Sequence, residues 1–284
     1  MKILLFGGTG FIGRHLVAHL SQNGYNVVIA SRNKEHLEEL LSEFEPYGII
    51  NLAGESIQKS RWTEKQKEAI LTSRITVTRR IVEAIEKVTH KPEVFINASA
   101  VGYYGTSETR VYTEESPSGD DFLASVCVAW EQVAMEASAY TRVVITRLGV
   151  VLGKDGGALP KMMLPYRFFA GGMVGSGKQW VPWVHIDDVT GLMRFILEKP
   201  LLSGPINVTA PSPLRMKEFS KILSSTLKRP NLAPVPSFVL RLLLGEMASL
   251  LLLGQRVTPK KAVDHGYRFR FPLLEEALKD LTGS

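Results

Sequence analysis

Through the first half of the chain, short apolar runs alternate with stretches whose apolar residues recur at helical spacing, the pattern of parallel strands joined by crossover helices. Residues 3–6, 26–30, 48–52, 94–97 and 142–146 read as strands. Between the first two, Phe11, Ile12, Leu16, Val17 and Leu20 mark one helical face and Gly24 ends it, so the chain opens strand, glycine turn, helix, strand. A second helix is expected from Thr63, which has capping-box spacing to Gln66, to about residue 88, ahead of Pro92. A third covers about residues 121–138, with Phe122, Val126, Ala129, Val133 and Ala137 along one side.

Beyond residue 151 the alternation loosens into glycine-rich loops at 153–157 and 171–177, a helix at about 187–198 and a strand at 206–209. The Pro-rich stretch 230–236 reads as a linker, followed by a compact leucine-rich helical unit and a final helix from Leu273. The most apolar region, residues 238–254, is broken by Arg241 and Glu246 and falls short of the roughly 20 apolar residues of a membrane span, so it reads as a buried or packed helix. The predicted fold is α/β: a doubly wound parallel Rossmann sheet with a smaller C-terminal lobe on the substrate side. Residues 1–230 are expected to form the core, with substrate-side insertions after 151, and residues 231–284 the small leucine-rich unit.

Composition narrows the function classes. At 284 residues, 45% hydrophobic and 22% charged, the chain is not collagen-like, disordered or coiled-coil. The single cysteine, Cys127, excludes an internal disulfide and a cysteine zinc cluster, and the first residues lack a signal-peptide pattern; a cytoplasmic location is the expectation. The net charge of +6 is spread along the chain, which favours a small anionic ligand over nucleic acid or a membrane as partner. A homodimer formed through exposed helices is compatible with the sequence.

The segment Gly7, Gly8, Thr9, Gly10, Phe11, Ile12, Gly13 satisfies the dinucleotide-binding spacing directly after a strand and before a helix. Glycines there admit positive φ, let backbone amides approach a diphosphate and let helix and strand pack closely, while the helix N-terminus supplies partial positive charge. No Asp or Glu precedes Glu35 where a ribose-binding carboxylate would stand. Ser31 and Arg32 end the second strand instead, a hydroxyl and a guanidinium fork suited to a 2′-phosphate, so NADP(H) is the expected cofactor.

With these, Ile50–Asn51–Leu52–Ala53–Gly54–Glu55, Ser99–Ala100–Val101–Gly102–Tyr103–Tyr104–Gly105, residues 149–153, residues 183–188 and Gly254–Gln255–Arg256–Val257 make the chain resemble the extended short-chain dehydrogenase/reductases. More narrowly it resembles their atypical sugar-nucleotide epimerase-like branch, with that family's C-terminal domain of unknown function. The resemblance covers nearly the whole chain. It implies NADP(H) across the C-terminal strand ends, with Leu52, Ala53, Gly54, Arg74 and Leu152 at the cofactor and Arg74 a charged partner for its phosphates; an exposed helix arginine is the plainer reading of Arg74.

One departure stands out. The superfamily's Tyr-x-x-x-Lys pair is absent: none of the eight tyrosines has a lysine four residues on, and Cys127 and Glu131 fall where the pair belongs. A glutamate there would raise a neighbour's pKa. Ser99 matches the family's catalytic hydroxyl position, and Tyr103 and Tyr104 offer phenols, so these three are the catalytic candidates, each with a packing or turn role as its alternative. Cys127 reads better as a buried small residue than as a nucleophile.

Other constellations are declined. Residues 172–179 nearly spell a phosphate-binding loop, but Gln179 replaces the Ser or Thr that ligates Mg²⁺ and Pro182 blocks the helix. His15 and His19 have metal-site spacing without a third ligand, and no metal is expected. Asp187 or Asp188 is expected to cap the following helix, with His185 orienting the loop, while Trp180 and Trp183 are candidates for substrate stacking or packing. The functional expectation is an NADP(H)-binding oxidoreductase or epimerase-like enzyme acting on a small polar substrate, sugar-derived compounds included. The alternative is a catalytically silent NADP(H)-binding or redox-sensing protein acting through a protein partner.

Overall fold

In the computed structural model, which describes residues 1–31 and 36–283, the expected strands form one six-stranded sheet. They are β1 (Lys2–Phe6), β2 (Asn26–Ala30), β3 (Gly48–Asn51), β4 (Val94–Ala100), then Arg142–Leu148 and Gly204–Val208. Every pairing is parallel, and the spatial order runs β2, β1, β3, β4, Arg142–Leu148, Gly204–Val208. Because the chain leaves β1 to one side for β2 and returns to the other for β3, a crevice opens at the carboxyl ends of β1 and β3, where open α/β sheets bind ligands.

The strands are apolar on both faces because helices cover both. Ile3 and Leu5 of β1 point into one core with Leu16 and Leu20 of α1 (Phe11–Gln22), while Leu4 and Phe6 point into the other with Leu41 of α2 (Leu37–Phe44) and Ile81 and Ile85 of α3 (Glu64–Lys87). Thr63 caps α3 by accepting from the Gln66 amide at 3.2 Å, and Asp121 caps α4 (Phe122–Met135) through the Ala124 amide at 2.9 Å.

Beyond the sheet, α5 (Leu159–Arg167), α6 (Ile186–Glu198) and α7 (Met216–Leu227) alternate with short strand pairs. Val150–Leu152 pairs with Trp183–His185, and Arg256–Val257 with Val111–Tyr112. His185 itself caps α6, its Nδ1 accepting from the Asp187 amide at 3.0 Å; the aspartates were expected in that role. Asp188 instead is 1% exposed and anchors the C-terminal segment, accepting from the amides of Arg270 and Phe271 at 2.7 and 2.9 Å.

Two expectations about the C-terminal region are corrected. Residues 230–236 are no linker: Leu232–Val235 is a strand paired with Gly172–Val174, tolerated because Pro234 sits in a short edge strand. Residues 238–254 are no buried helix: they break into Ser237–Leu244 and Ser249–Leu252, neither with a buried residue, and Phe238 and Leu242 are 71% and 75% exposed. Among the described residues, no helix is long and apolar enough to cross a membrane.

Candidate functional site

The glycine turn lies at the crevice. Gly7 has φ of +78°, and a Cβ there would meet the backbone of Leu52 and Ala53 at 2.8–2.9 Å, so only glycine lets the turn touch the end of β3. A Cβ at Gly13 would lie 2.2 Å from the Gly7 carbonyl oxygen, the close helix-to-turn approach for which the spacing reserves its last glycine. Gly10 is the N-cap of α1. It brings no side-chain cap, and the first helical turn carries no acidic residue, so the dipole and amides at Phe11, Ile12 and Gly13 have no side-chain anion from the helix itself. Thr9 and Gly10 are exposed.

Around this cradle, Ser31 stands exposed at the end of β2, and Arg32 lies outside the described residues. Leu52, Ala53 and Gly54 leave β3 beside the turn, with the Ala53 amide held by Asn51 Oδ1 at 3.1 Å. Arg74 folds over Gly54: its Cζ lies 3.1 Å from where a Cβ would stand, and its Nη1 donates to the carbonyls of Ile70 and Glu55 at 2.8 and 3.1 Å. Its Cζ is 5.1 Å from the Trp130 ring, and burial pulls its pKa below the usual arginine value. Arg74 is thus half-buried against the Gly54 backbone, not an exposed helix arginine.

Leu152, expected at the cofactor, is fully buried in the main core, and its side chain offers a ligand no exposed surface. Gly153, Gly156 and Gly157 wrap the Phe11 ring so tightly that a Cβ on any of them would come within 2.9 Å of it. The wrap is latched to α1: Asp155 accepts from His15 Nε2 at 2.8 Å and lies 3.7 Å from Arg14 Nη2, and the His15 contact holds its carboxyl below the usual range.

The acid/base position is filled by an ion pair. Glu131, on the α4 turn after Cys127, receives both forks of Arg147, Nε to Oε1 at 2.9 Å and Nη2 to Oε2 at 2.8 Å. Burial works against the Arg147 charge, but the Glu131 carboxylate outweighs it and keeps the guanidinium protonated. Ser99 donates to Glu131 Oε1 at 2.6 Å and is 2% exposed, which leaves it no hydrogen for a substrate carbonyl. Tyr104 is equally enclosed; it donates to Asn207 Oδ1 at 2.6 Å, accepts from Arg147 Nη1 at 2.9 Å, and burial raises its pKa to about 12. Burial, seconded by Glu131, raises the Cys127 thiol to about 11, making it inert at neutral pH. Tyr103 differs: its ring stacks on the Arg147 guanidinium at 3.4 Å, it is only half-buried, and among the described residues its hydroxyl has no hydrogen-bond partner.

This arrangement, a glycine cradle at a strand switch with an altered proton-transfer position beside it, has relatives. A family model described as the NAD dependent epimerase/dehydratase family matches residues 3–208, and a domain of unknown function (DUF1731) matches residues 235–281. The chain belongs to the NAD-dependent epimerase/dehydratase family. It is 45% identical over 298 residues to the epimerase family protein YfhF of Bacillus subtilis, covering 99% of this chain and 98% of that one. Human epimerase family protein SDR39U1 (isoform 2), whose crystal structure is described as being with NADPH, superimposes with a TM-score of 0.93 at 37% identity over the whole of both chains. A UDP-glucose 4-epimerase of Thermotoga maritima shares the fold at a TM-score of 0.80 and 19% identity, covering 98% of this chain and 96% of that one.

Within this family framework, sequence reasoning found the cradle and Glu131 but missed Arg147. Its signal was a second charge in the strand Arg142–Leu148, following the apolar Val143, Val144 and Ile145, which a buried strand admits only with a partner. It also missed Asn51 and Asn97, whose side chains meet at 2.7 Å and tie the ends of β3 and β4 to Thr78 of α3, which in turn accepts from Trp130 Nε1 at 2.8 Å.

Proposed function

We propose that the chain binds NADP(H) at the open N-terminus of α1 and acts as an oxidoreductase or epimerase-like enzyme on a small polar substrate, sugar-derived compounds included. The observation that carries this reading is the uncapped, Cβ-free mouth of α1 at the strand switch, where a Cβ on Gly10 would meet only the Gly7 carbonyl, at 3.3 Å. The NADPH of the human relative supports it. The described residues fit the cofactor: amides of the turn for the diphosphate, Ser31 just after β2 on the adenosine side, and the half-buried Arg74 as a cation beside Gly54, while Arg32, assigned to the 2′-phosphate from the sequence, lies outside the described residues.

When bound, NADP(H) supplies hydride exchange at its nicotinamide ring. The chain's own work is to position and to move a proton. Arg147 neutralises Glu131 and carries Tyr103 on its upper face; Tyr103, with its hydroxyl uncommitted, is the group placed to give a proton to a substrate oxygen or to take one from it. Ser99 holds Glu131 in place. NADPH oxidation across a carbonyl panel tests this: Tyr103→Phe lowers turnover at least tenfold, and unchanged turnover in that variant overturns the assignment. Arg32→Asp reverses the preference for NADPH over NADH; equal NADPH affinity in that variant removes the 2′-phosphate reading.

A second reading is favoured by the self-satisfied Glu131–Arg147 pair, which leaves no lysine to assist a phenol: an NADP(H)-binding or redox-sensing protein without turnover, acting through a protein partner. Tight NADPH binding with no oxidation by any carbonyl supports it.

A further inference from the structure

We infer that residues 167–170, together with the neighbouring segment 228–232, form a docking surface for an anionic lipid bilayer, against which the chain lies without crossing it. The surface is separate from the cofactor cradle and does not depend on what is bound there.

The ends of α5 and α7 are tied side by side. The buried Tyr166 hydroxyl meets Ser220 Oγ of α7 at 2.8 Å, and the Leu232 amide donates to the Gly171 carbonyl at 2.8 Å where the strands Leu232–Val235 and Gly172–Val174 begin to pair. Past Tyr166 the chain turns outward. The amides of Phe168 and Ala170 donate to the Pro165 carbonyl at 3.1 and 3.0 Å, and that of Phe169 to the Tyr166 carbonyl at 3.0 Å. Phe169 has φ of +56°, a left-handed conformation that a bulky side chain rarely takes. The turn therefore holds two aromatic rings away from the core: Phe168 is 75% and Phe169 56% exposed. Leu164, one helical turn before Phe168, and Leu232, next to Gly171, extend the apolar surface at 52% and 55% exposure.

Cations surround these rings. Arg229 Cζ lies 4.4 Å from the Phe169 ring centroid, and Arg167 and Lys228 are exposed beside it. Among the described residues none of the three is ion-paired. Residues 156–186 hold three Lys or Arg and residues 219–245 four, and neither segment contains an Asp or Glu. Along the sequence these charges look dispersed; the pairing of the two strands gathers them into one basic region. Helix C-termini favour cations, which accounts for the charges but not for the aromatic rings among them. An apolar tip rimmed by like charge marks an interaction surface, and a bilayer interface satisfies both halves of it. The rings enter the boundary between headgroups and acyl chains, while the guanidinium and ammonium groups stay with the anionic headgroups. A soluble acidic peptide would satisfy the cations but offers no apolar layer to receive the rings. Each Lys or Arg near an anionic bilayer multiplies affinity about fivefold, so three of them supply roughly a hundredfold.

The test is sedimentation of the full chain with vesicles of phosphatidylcholine alone and with vesicles in which about a third of the lipid is phosphatidylserine. The expected result is saturable binding to the anionic vesicles, at least tenfold weaker on the neutral ones and at high salt. Phe168→Ser combined with Phe169→Gly, glycine being at ease at positive φ, weakens that binding at least tenfold, and so does Arg167→Gln combined with Arg229→Gln. Melting temperatures verify that both double variants are folded. No binding of the unaltered chain to the anionic vesicles, or binding that either folded double variant leaves unchanged, overturns the proposal. A polyglutamate peptide that binds through these residues while the anionic vesicles do not would assign the surface to an acidic protein and overturn it as well.

Discussion

Glu131 and Arg147 are both buried, and each charge is tolerable because of the other. Removing one partner of such a pair leaves a buried charge uncompensated and costs about 3–5 kcal/mol, whereas replacing both with apolar side chains of similar size is often neutral. Glu131→Gln is therefore expected to lower the unfolding free energy by roughly 3 kcal/mol or more, while Glu131→Leu combined with Arg147→Met loses far less. Denaturant titration measures both; a single variant costing under about 1 kcal/mol would mean the pair is not the anchor described. The sequence displayed the glutamate by its place in α4 but hid the arginine, because their meeting depends on how α4 docks on the strand Arg142–Leu148. At His185, burial lowers the imidazole pKa below 6.5, against the opposing carboxylates of Asp187, Asp280 and Asp188. The unfolded chain then takes up this proton before the folded one does, so stability is whole above about pH 6.5 and falls as the pH drops below it. Melting temperatures between pH 8 and 5 should fall on the acid side, and less steeply in His185→Asn, which can still cap α6; parallel curves would contradict the assignment.

Among the elements, the 153–157 wrap packs on Phe11 in the first turn of α1, beside the cradle. Its glycines close on Phe11, and its hold on α1 is the contact of Asp155 with His15 and Arg14. Half-exposed ion pairs of this kind are worth about 0.2–1 kcal/mol. Asp155→Asn is accordingly expected to speed NADPH release by about two- to fivefold in stopped flow, with little change in melting temperature; an unchanged release rate would show that the wrap does not gate the cofactor. This scale was also where the sequence was most legible. β1 to β4 and their crossover helices announce themselves because a strand buried on both faces must be apolar throughout and a helix covering it must be amphipathic. The C-terminal elements did not follow: the strand Leu232–Val235 was masked by its prolines, and the helix Ser237–Leu244 is apolar without being buried, so hydropathy pointed to a core that is not there.

For the molecule as a whole, both faces of one parallel sheet are sealed by helices, and the carboxyl edge is left for chemistry. The cradle lies at the β1/β3 switch, the Glu131–Arg147–Tyr103 stack lies at the end of β4, and Asp188 anchors the C-terminal segment through the amides of Arg270 and Phe271. What composition and spacing could supply was the cradle; what they could not supply was the contacts between residues far apart in the chain, such as Arg147 against Tyr103. Whether this edge holds a phosphorylated dinucleotide is decided by titration calorimetry with NADPH and with NADH on the folded chain. The expected result is saturable one-to-one binding of NADPH, at least tenfold tighter than that of NADH; no saturation with either, or a preference for NADH, would overturn it.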